Sequence, residues 1–318
     1  MKNEKIRYEA SFPKLSAQLY NSGDNMESIQ LISNYMTDNT SRQMLNELTR
    51  KTFGFDFDGW VNGGYFEGDY IPYSFVENGK MLSNVSANRM HFTQKGVEKH
   101  YIQIGTVMTD ESHRKQGLAA KLMEYVIGEY EDQCDGIYLF GNMNACGFYE
   151  KIGFRTMNQY RYFVKDEYCR SSSGKRFMPV KNMGDDVKNR YLELVRKSYP
   201  VSSLEQINKF GLQVFYTAGL DNVSYAEDID CFIVTDQDDC TVLQSVLSNK
   251  KIPLADVIGR LTIKNNKLRL GFVPLEEDIP LCTSEVFDGG EDYRLFYRGA
   301  QLEAIERDRL YFPDLSHA

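Results

Sequence analysis

Nothing in the 318 residues approaches the roughly 18 to 20 continuous apolar residues that a membrane-spanning helix needs. The first ten, MKNEKIRYEA, also lack the apolar stretch of a secretory leader, so a cytoplasmic protein is expected. The six cysteines (Cys134, Cys146, Cys169, Cys231, Cys240, Cys282) show no C-x-x-C spacing, and the four histidines (His91, His100, His113, His317) are dispersed. Neither a metal site nor a disulfide framework is therefore predicted. Acidic residues outnumber basic ones by 45 to 37, giving a net charge of -8, and the Lys and Arg are not clustered. A nucleic acid partner is excluded on that balance, because neutralising its phosphates requires a concentrated basic surface. A 42% hydrophobic content is too high for intrinsic disorder, and neither collagen nor coiled-coil repeats occur.

What is present is enough chain for two domains, at roughly 100 to 200 residues each. Met44, Leu45, Leu48 and Phe53 fall near one face of a helix over 41–53, with Thr40 or Ser41 as its cap. From Pro72 the pattern turns extended. Breaks at Asn78-Gly79 and Lys95-Gly96 predict three antiparallel strands over 73–77, 80–93 and 98–108. Leu118, Leu122, Val126 and Tyr130 recur every fourth residue and predict an amphipathic helix, followed by a short buried strand over 137–140, a helix over 144–152 and a strand near Phe154.

The tract from Lys165 to Met183, with Ser171-Ser172-Ser173-Gly174, lacks periodicity and marks the expected domain boundary, dividing the chain into 1–165 and 166–318. Beyond it the pattern predicts a helix over 185–199 and two long strands, 223–234 and 241–247, joined through Asp236–Asp239. A short helix from Pro253 to Leu261 and a strand over 268–273 follow. Hairpin, helix and strand thus recur about 140 residues after their first appearance, which suggests a diverged internal repeat.

The stretch Gly105–Ala119 reads as strand, loop and helix start. Free N–H groups in a first helical turn form an anion site, Gly117 allows close approach, and Arg114, Lys115 and Gln116 add donors, so a phosphate-bearing ligand is expected. An ordinary strand-to-helix turn with a basic rim would look the same. A second stretch begins 25 residues after Gly117, with Asn142, Ala145, Phe148, Tyr149, Lys151, Gly153 and Phe154. Arg114, Gly117 and Ala119 fit [RQ]-x-x-G-x-[GA], and the later set fits N-x-x-A-x-x-[FL]-Y-x-K-x-G-F. Together they resemble the GNAT superfamily of acyl-CoA-dependent N-acetyltransferases, over roughly residues 40–165.

The resemblance implies an α/β domain with a mixed, largely antiparallel central sheet, and acetyl-CoA as co-substrate. It implies a pyrophosphate cradle in the backbone of Gln116, Gly117, Leu118 and Ala119, beside Arg114 and Lys115. Val107, Met108 and Thr109 would offer the strand edge to the pantetheine and thioester. Asn142 would reach the pantetheine arm, and Tyr149 would protonate the departing thiolate. Without the motif, Tyr149 would read as a packing aromatic and Asn142 as a helix cap.

The aromatic segment 53–75 lies where this family builds its acceptor pocket. Trp60, Tyr65, Glu67, Asp69 and Tyr73 are the expected acceptor contacts, with Asp56 and Asp58 nearby, since carboxylates among aromatic faces attract an amine. Polyamine, aminoglycoside, amino acid and peptide lysine stay open as acceptors. The second half has neither motif and reads as a GNAT-like domain without its cofactor site, similar in organisation to tandem GNAT proteins such as the enhanced intracellular survival acetyltransferases. Its apolar end, Leu310–Ala318, predicts a docked tail, and that resemblance places the Ala318 carboxylate at the active site, with His317 as the alternative base. An acyl-CoA-binding sensor without turnover is the competing function.

Overall fold

The structure is a computed structural model that describes residues 18–19, 29–169 and 175–318. The MKNEKIRYEA start and the Ser171–Gly174 tract lie outside the described residues. Strands β1 (Gln18–Leu19) and β2 (Gln30–Ser33) precede helix α1 (Asn39–Phe53) and the short α2 (Asp58–Asn62). The cap of α1 is Asp38, two residues before Thr40 and three before Ser41, the expected caps. Its carboxylate accepts the Ser41 N–H at 2.8 Å, and Gly54 closes the helix at φ 80°.

Strands β3 (Tyr70–Glu77), β4 (Lys80–Gln94) and β5 (Val97–Thr109) form the expected meander. Both turns take positive φ at each central residue, Asn78 and Gly79, then Lys95 and Gly96. Helix α3 (Leu118–Tyr130), β6 (Gly136–Asn142), α4 (Cys146–Lys151), β7 (Arg155–Met157) and β8 (Gln159–Val164) follow.

The later half runs β9 (Met178–Pro179), α5 (Asp185–Arg196), β10 (Leu204–Gln206), α6 (Phe210–Tyr216), β11 (Val223–Ala226), β12 (Cys231–Gln237) and β13 (Thr241–Leu247). It continues with α7 (Leu254–Ile258), β14 (Leu268–Leu270), β15 (Cys282–Phe287), β16 (Tyr293–Arg298) and α8 (Ala304–Arg307). The strand expected over 223–234 is instead two. Asp230, at φ 47°, folds β11 back on β12 with Ala226 opposite Cys231, and its carboxylate holds Arg190. Pro253 caps α7 with extended backbone and does not enter its first turn.

Two sheets result, ordered β1-β2-β3-β4-β5-β6-β16-β7, with β10 also on β4, and β15-β8-β14-β13-β12-β11-β9. Each holds one parallel pair, β5 with β6 and β13 with β14, and each pair is linked through a helix. The hairpin, helix, strand order therefore recurs in space as well as in sequence. The sheets do not part at residue 165. Strand β8 from the earlier half sits between β14 and β15, while β16 from the later half sits between β6 and β7. Each inserted strand buries apolar side chains in the sheet it joins, Tyr162 and Val164 in one and Leu295 and Phe296 in the other.

Candidate active site

The site begins with a separation of strands. β5 pairs with β6 from Tyr101 to Gln103, and no pair with β6 is formed from Ile104 to Thr109 among the described residues. A bulge causes this. The β4–β5 register slips between Asn84 and Ser86, and Thr106 takes φ 42°, which turns the end of β5 away from its neighbour. Half-buried hydrogen bonds hold the bulge: Tyr70 Oη to Thr106 Oγ1 at 2.6 Å, Thr106 Oγ1 to Ser86 Oγ at 2.7 Å, and Asn84 Nδ2 to the Thr106 carbonyl at 2.9 Å. The edge carrying Val107 and Thr109 is left open, whereas the Met108 side chain points into the core beside Tyr35 and Leu45.

At the mouth of this wedge, Lys115 and Gly117 both have positive φ, 63° and 77°, and the chain enters α3 with no side chain capping its first N–H groups. A Cβ on Gly117 would meet nothing within 4 Å, so the glycine is needed for its backbone angle and not for internal room. Leu118 anchors the helix in the core, and Ala119 is half-buried. Arg114, Lys115 and Gln116 are exposed around the opening. Arg114 Nε donates to the Thr109 carbonyl and Gln116 Nε2 to that of Ser112. Asp110 braces the loop through Ser112 and Lys80, which hold its carboxyl well below the usual range.

On the opposite wall, Asn142 ends β6, is exposed, and makes no side-chain cap bond to the turn after it. Tyr149 on α4 lies against Phe296 of the inserted β16, ring centroids 5.2 Å apart. Its close approach depends on Gly141, where a Cβ would come within 2.6 Å of the Tyr149 ring. Burial pushes the phenol up to about 12, so it stays protonated across the neutral range.

Tyr149, Asn142 and Val107 share a cavity of about 500 Å³ with Trp60, Glu67 and Asp69. Of the expected acceptor contacts, these last three are placed there. Tyr73 is not: three residues after Tyr70 in the same strand, it points to the opposite face, where its hydroxyl meets Glu129 and Tyr130, each at 2.8 Å. Tyr65 packs on Phe210 outside the cavity. Asp56 and Asp58 are turned to Arg50 and Arg42 on α1. Glu67 pairs with Arg196, and Asp69 accepts from Asn208 Nδ2 at 2.8 Å, its carboxyl raised by burial.

Residues 39–154 match the family model described as the Acetyltransferase (GNAT) family. The match lies in the earlier half of the chain and spans both motifs. No curated protein matches the chain in sequence. Its fold is similar to that of a conserved protein of unknown function, a probable N-acyltransferase, from Enterococcus faecalis V583. That pair has 13% identity and a TM-score of 0.52, covering 87% of this chain and 74% of that one. A GCN5-related N-acetyltransferase from Kribbella flavida gives 15% identity, 87% and 73% coverage and a TM-score of 0.52. Eis1 from Mycobacterium abscessus gives 10%, 86% and 74% coverage, and 0.50. These likenesses concern the fold, and their coverage takes in both halves.

The GNAT motifs do not reveal four residues that shape the cavity. Asn208 and Phe215 come from the second half, and Asn208 also donates to the Arg89 carbonyl, tying α6 to β4. Gly105 receives the tail, since a Cβ there would lie 2.6 Å from an Ala318 terminal oxygen, and Asn88, which donates to the Gln103 carbonyl, lines the same cavity. No local sequence pattern marks these residues, since each matters for what approaches it from a distant segment. The tail itself is clasped. Asp314 pairs with Arg269 at 2.8 Å, accepts the Tyr311 hydroxyl at 2.7 Å, and donates its N–H to the Gly271 carbonyl at 2.8 Å. His317 stacks on Phe140 at 3.8 Å, and its carbonyl accepts from Tyr216. Burial lowers the imidazole to about 4 and leaves Nε2 without a partner, so His317 is neutral and a weak base.

Proposed function

We propose that the protein transfers an acetyl group from acetyl-CoA to a primary amine in the wedge between β5 and β6. The uncapped start of α3 at the mouth of an open strand edge carries this reading, because it offers unpaired donors to a pyrophosphate where the family motif expects one. Backbone groups of Gln116 to Ala119 would hold the phosphates, with Arg114 and Lys115 beside them, and Val107 and Thr109 would align the thioester arm with Asn142. Bound acetyl-CoA supplies an activated carbonyl. The amine attacks it directly, the C–N bond forms as the C–S bond breaks, and Tyr149 gives its proton to sulfur.

Ala318, seated against Gly105 in the same cavity, would orient the amine and accept its proton through the terminal carboxylate. His317 is a poorer choice, being neutral and enclosed. Residues 1–165 and 166–318 would be two related units, the second supplying a cavity wall and no cofactor site of its own.

A thermal-shift titration with acetyl-CoA, followed by an assay of thiol release across an amine library, tests this reading. Stabilisation together with amine-dependent release is expected. Stabilisation without turnover of any amine would make the protein an acyl-CoA sensor. Removing Ser316 to Ala318, or extending the chain beyond Ala318, should lower kcat at least about tenfold while acetyl-CoA affinity stays close to wild type. Full kcat in both variants would remove the tail from the chemistry.

A further inference from the structure

The part of the cavity away from Tyr149 is walled by aromatic rings. Phe55, Phe57, Trp60 and Phe215 form one cluster, with centroid separations of 5.4 Å for Phe55–Phe57, 5.5 Å for Phe55–Phe215 and 5.8 Å for Trp60–Phe215. All four line the cavity. The Trp60 indole N–H is already spent on the Gly211 carbonyl at 2.8 Å, so the ring presents apolar surface. Phe215 stands on α6, which means that the second half contributes directly to this wall.

The carboxylates beside that wall are few and engaged. Glu67 is paired with Arg196, whose guanidinium lies 3.3 Å over the Phe210 ring and is thereby fixed in place. Asp69 is held by Asn208 and is partly desolvated. A polycation buried here would bring several ammonium groups to a surface that answers one or two of them, leaving the remainder desolvated and unpaired. A single ammonium joined to a flat apolar body meets the opposite balance. Asp69 already faces Asn208 and the Arg89 charge, so the ammonium is answered by the seated Ala318 carboxylate, and its body covers ring faces that water solvates poorly.

We infer that the acceptor is a monocationic arylalkylamine, or a similar primary amine on an apolar body, and not a polyamine or an aminoglycoside. This rests on the acetyl-transfer reading above and narrows it. The bound ammonium first gives one proton to the Ala318 carboxylate and from there to solvent; the neutral amine then attacks, a second nitrogen proton leaves as the C–N bond forms, and the sulfur freed from the acetyl carbon takes up a proton from Tyr149, so the reaction releases one proton net. The products are an N-acetylarylalkylamine and the free thiol.

The test uses the full chain with saturating acetyl-CoA and follows thiol release with 2-phenylethylamine, tryptamine, spermidine and kanamycin, alongside a thermal-shift titration with acetyl-CoA. The expected result is a kcat/KM for the two arylalkylamines at least tenfold above that for spermidine and kanamycin. Phe215→Leu, which keeps an apolar side chain but removes the ring, should raise KM for 2-phenylethylamine severalfold and leave acetyl-CoA affinity unchanged. Acetyl-CoA binding with equal or faster acetylation of spermidine or kanamycin overturns the inference while the acetyl-transfer reading stands. Binding with no turnover of either arylalkylamine also overturns it. Failure to bind acetyl-CoA at all overturns the reading beneath it.

Discussion

At the scale of single residues, burial sets the protonation of two candidate groups, keeping Tyr149 protonated and His317 neutral near pH 7. The Tyr149 phenol is raised to about 12 and has no hydrogen-bond partner among the described residues, so it holds its proton until an acceptor arrives. Tyr149→Phe should lower kcat by about 10²- to 10⁴-fold with acetyl-CoA affinity nearly unchanged, a split that steady-state kinetics beside equilibrium binding would reveal. A rate within twofold of wild type would return Tyr149 to a packing role. For His317, the folded imidazole titrates near 4 against about 6.5 in an unfolded chain, so the unfolded state binds more protons between those values. The stabilisation is fully present above about 6.5 and is lost as pH falls toward 4, a difference on the order of 3 kcal/mol. His317→Phe keeps the stack on Phe140 and removes the titration. Its Tm should fall less than that of wild type between pH 7 and pH 4.5, as differential scanning fluorimetry would record. The motif singled out Tyr149 and Asn142, and the fold brings both to one cavity with Val107. The fate of Tyr73 was decided by strand alternation relative to Tyr70, which shows in the sequence only once the buried face of β3 is known.

At the scale of elements, periodicity served well where one face is buried and failed where an irregularity breaks the period. The meander and α3 were legible because Asn78-Gly79, Lys95-Gly96 and the four-residue spacing of Leu118 to Tyr130 each carry a direct steric meaning. The β5 bulge was not, since Thr106 at φ 42° is a β-branched residue in a conformation it rarely adopts, imposed by Tyr70, Asn84 and Ser86. The break at Asp230 was hidden for the same reason, being fixed by a distant arginine on α5. If the bulge and α3 together form the proposed acetyl-CoA wedge, Gly117→Glu should abolish acetyl-CoA binding. The substitution strains a φ of 77° and sets a negative charge against the phosphates. Circular dichroism should report a folded chain, and unchanged acetyl-CoA affinity would relocate the site.

At the scale of the whole molecule, the two halves are joined by exchanged strands and by a shared cavity. β16 buttresses Tyr149 through Phe296, while Asn208 and Phe215 complete the wall of the shared cavity. Residues 1–165 expressed alone would therefore present β6 and β7 without the strand between them and β8 without either partner. That fragment should aggregate or unfold noncooperatively, and co-expression with 166–318 should restore a single transition, as size-exclusion chromatography and thermal melts would show. A fragment that folds cooperatively alone would mean the exchange is dispensable. None of this exchange was legible, because alternation identifies a strand without naming its neighbour. Whether the earlier half holds the single acetyl-CoA site is decided by isothermal calorimetry of the full chain with acetyl-CoA. One site per chain is expected, lost in Gly117→Glu; two equivalent sites, or one that survives that substitution, would overturn the proposed location.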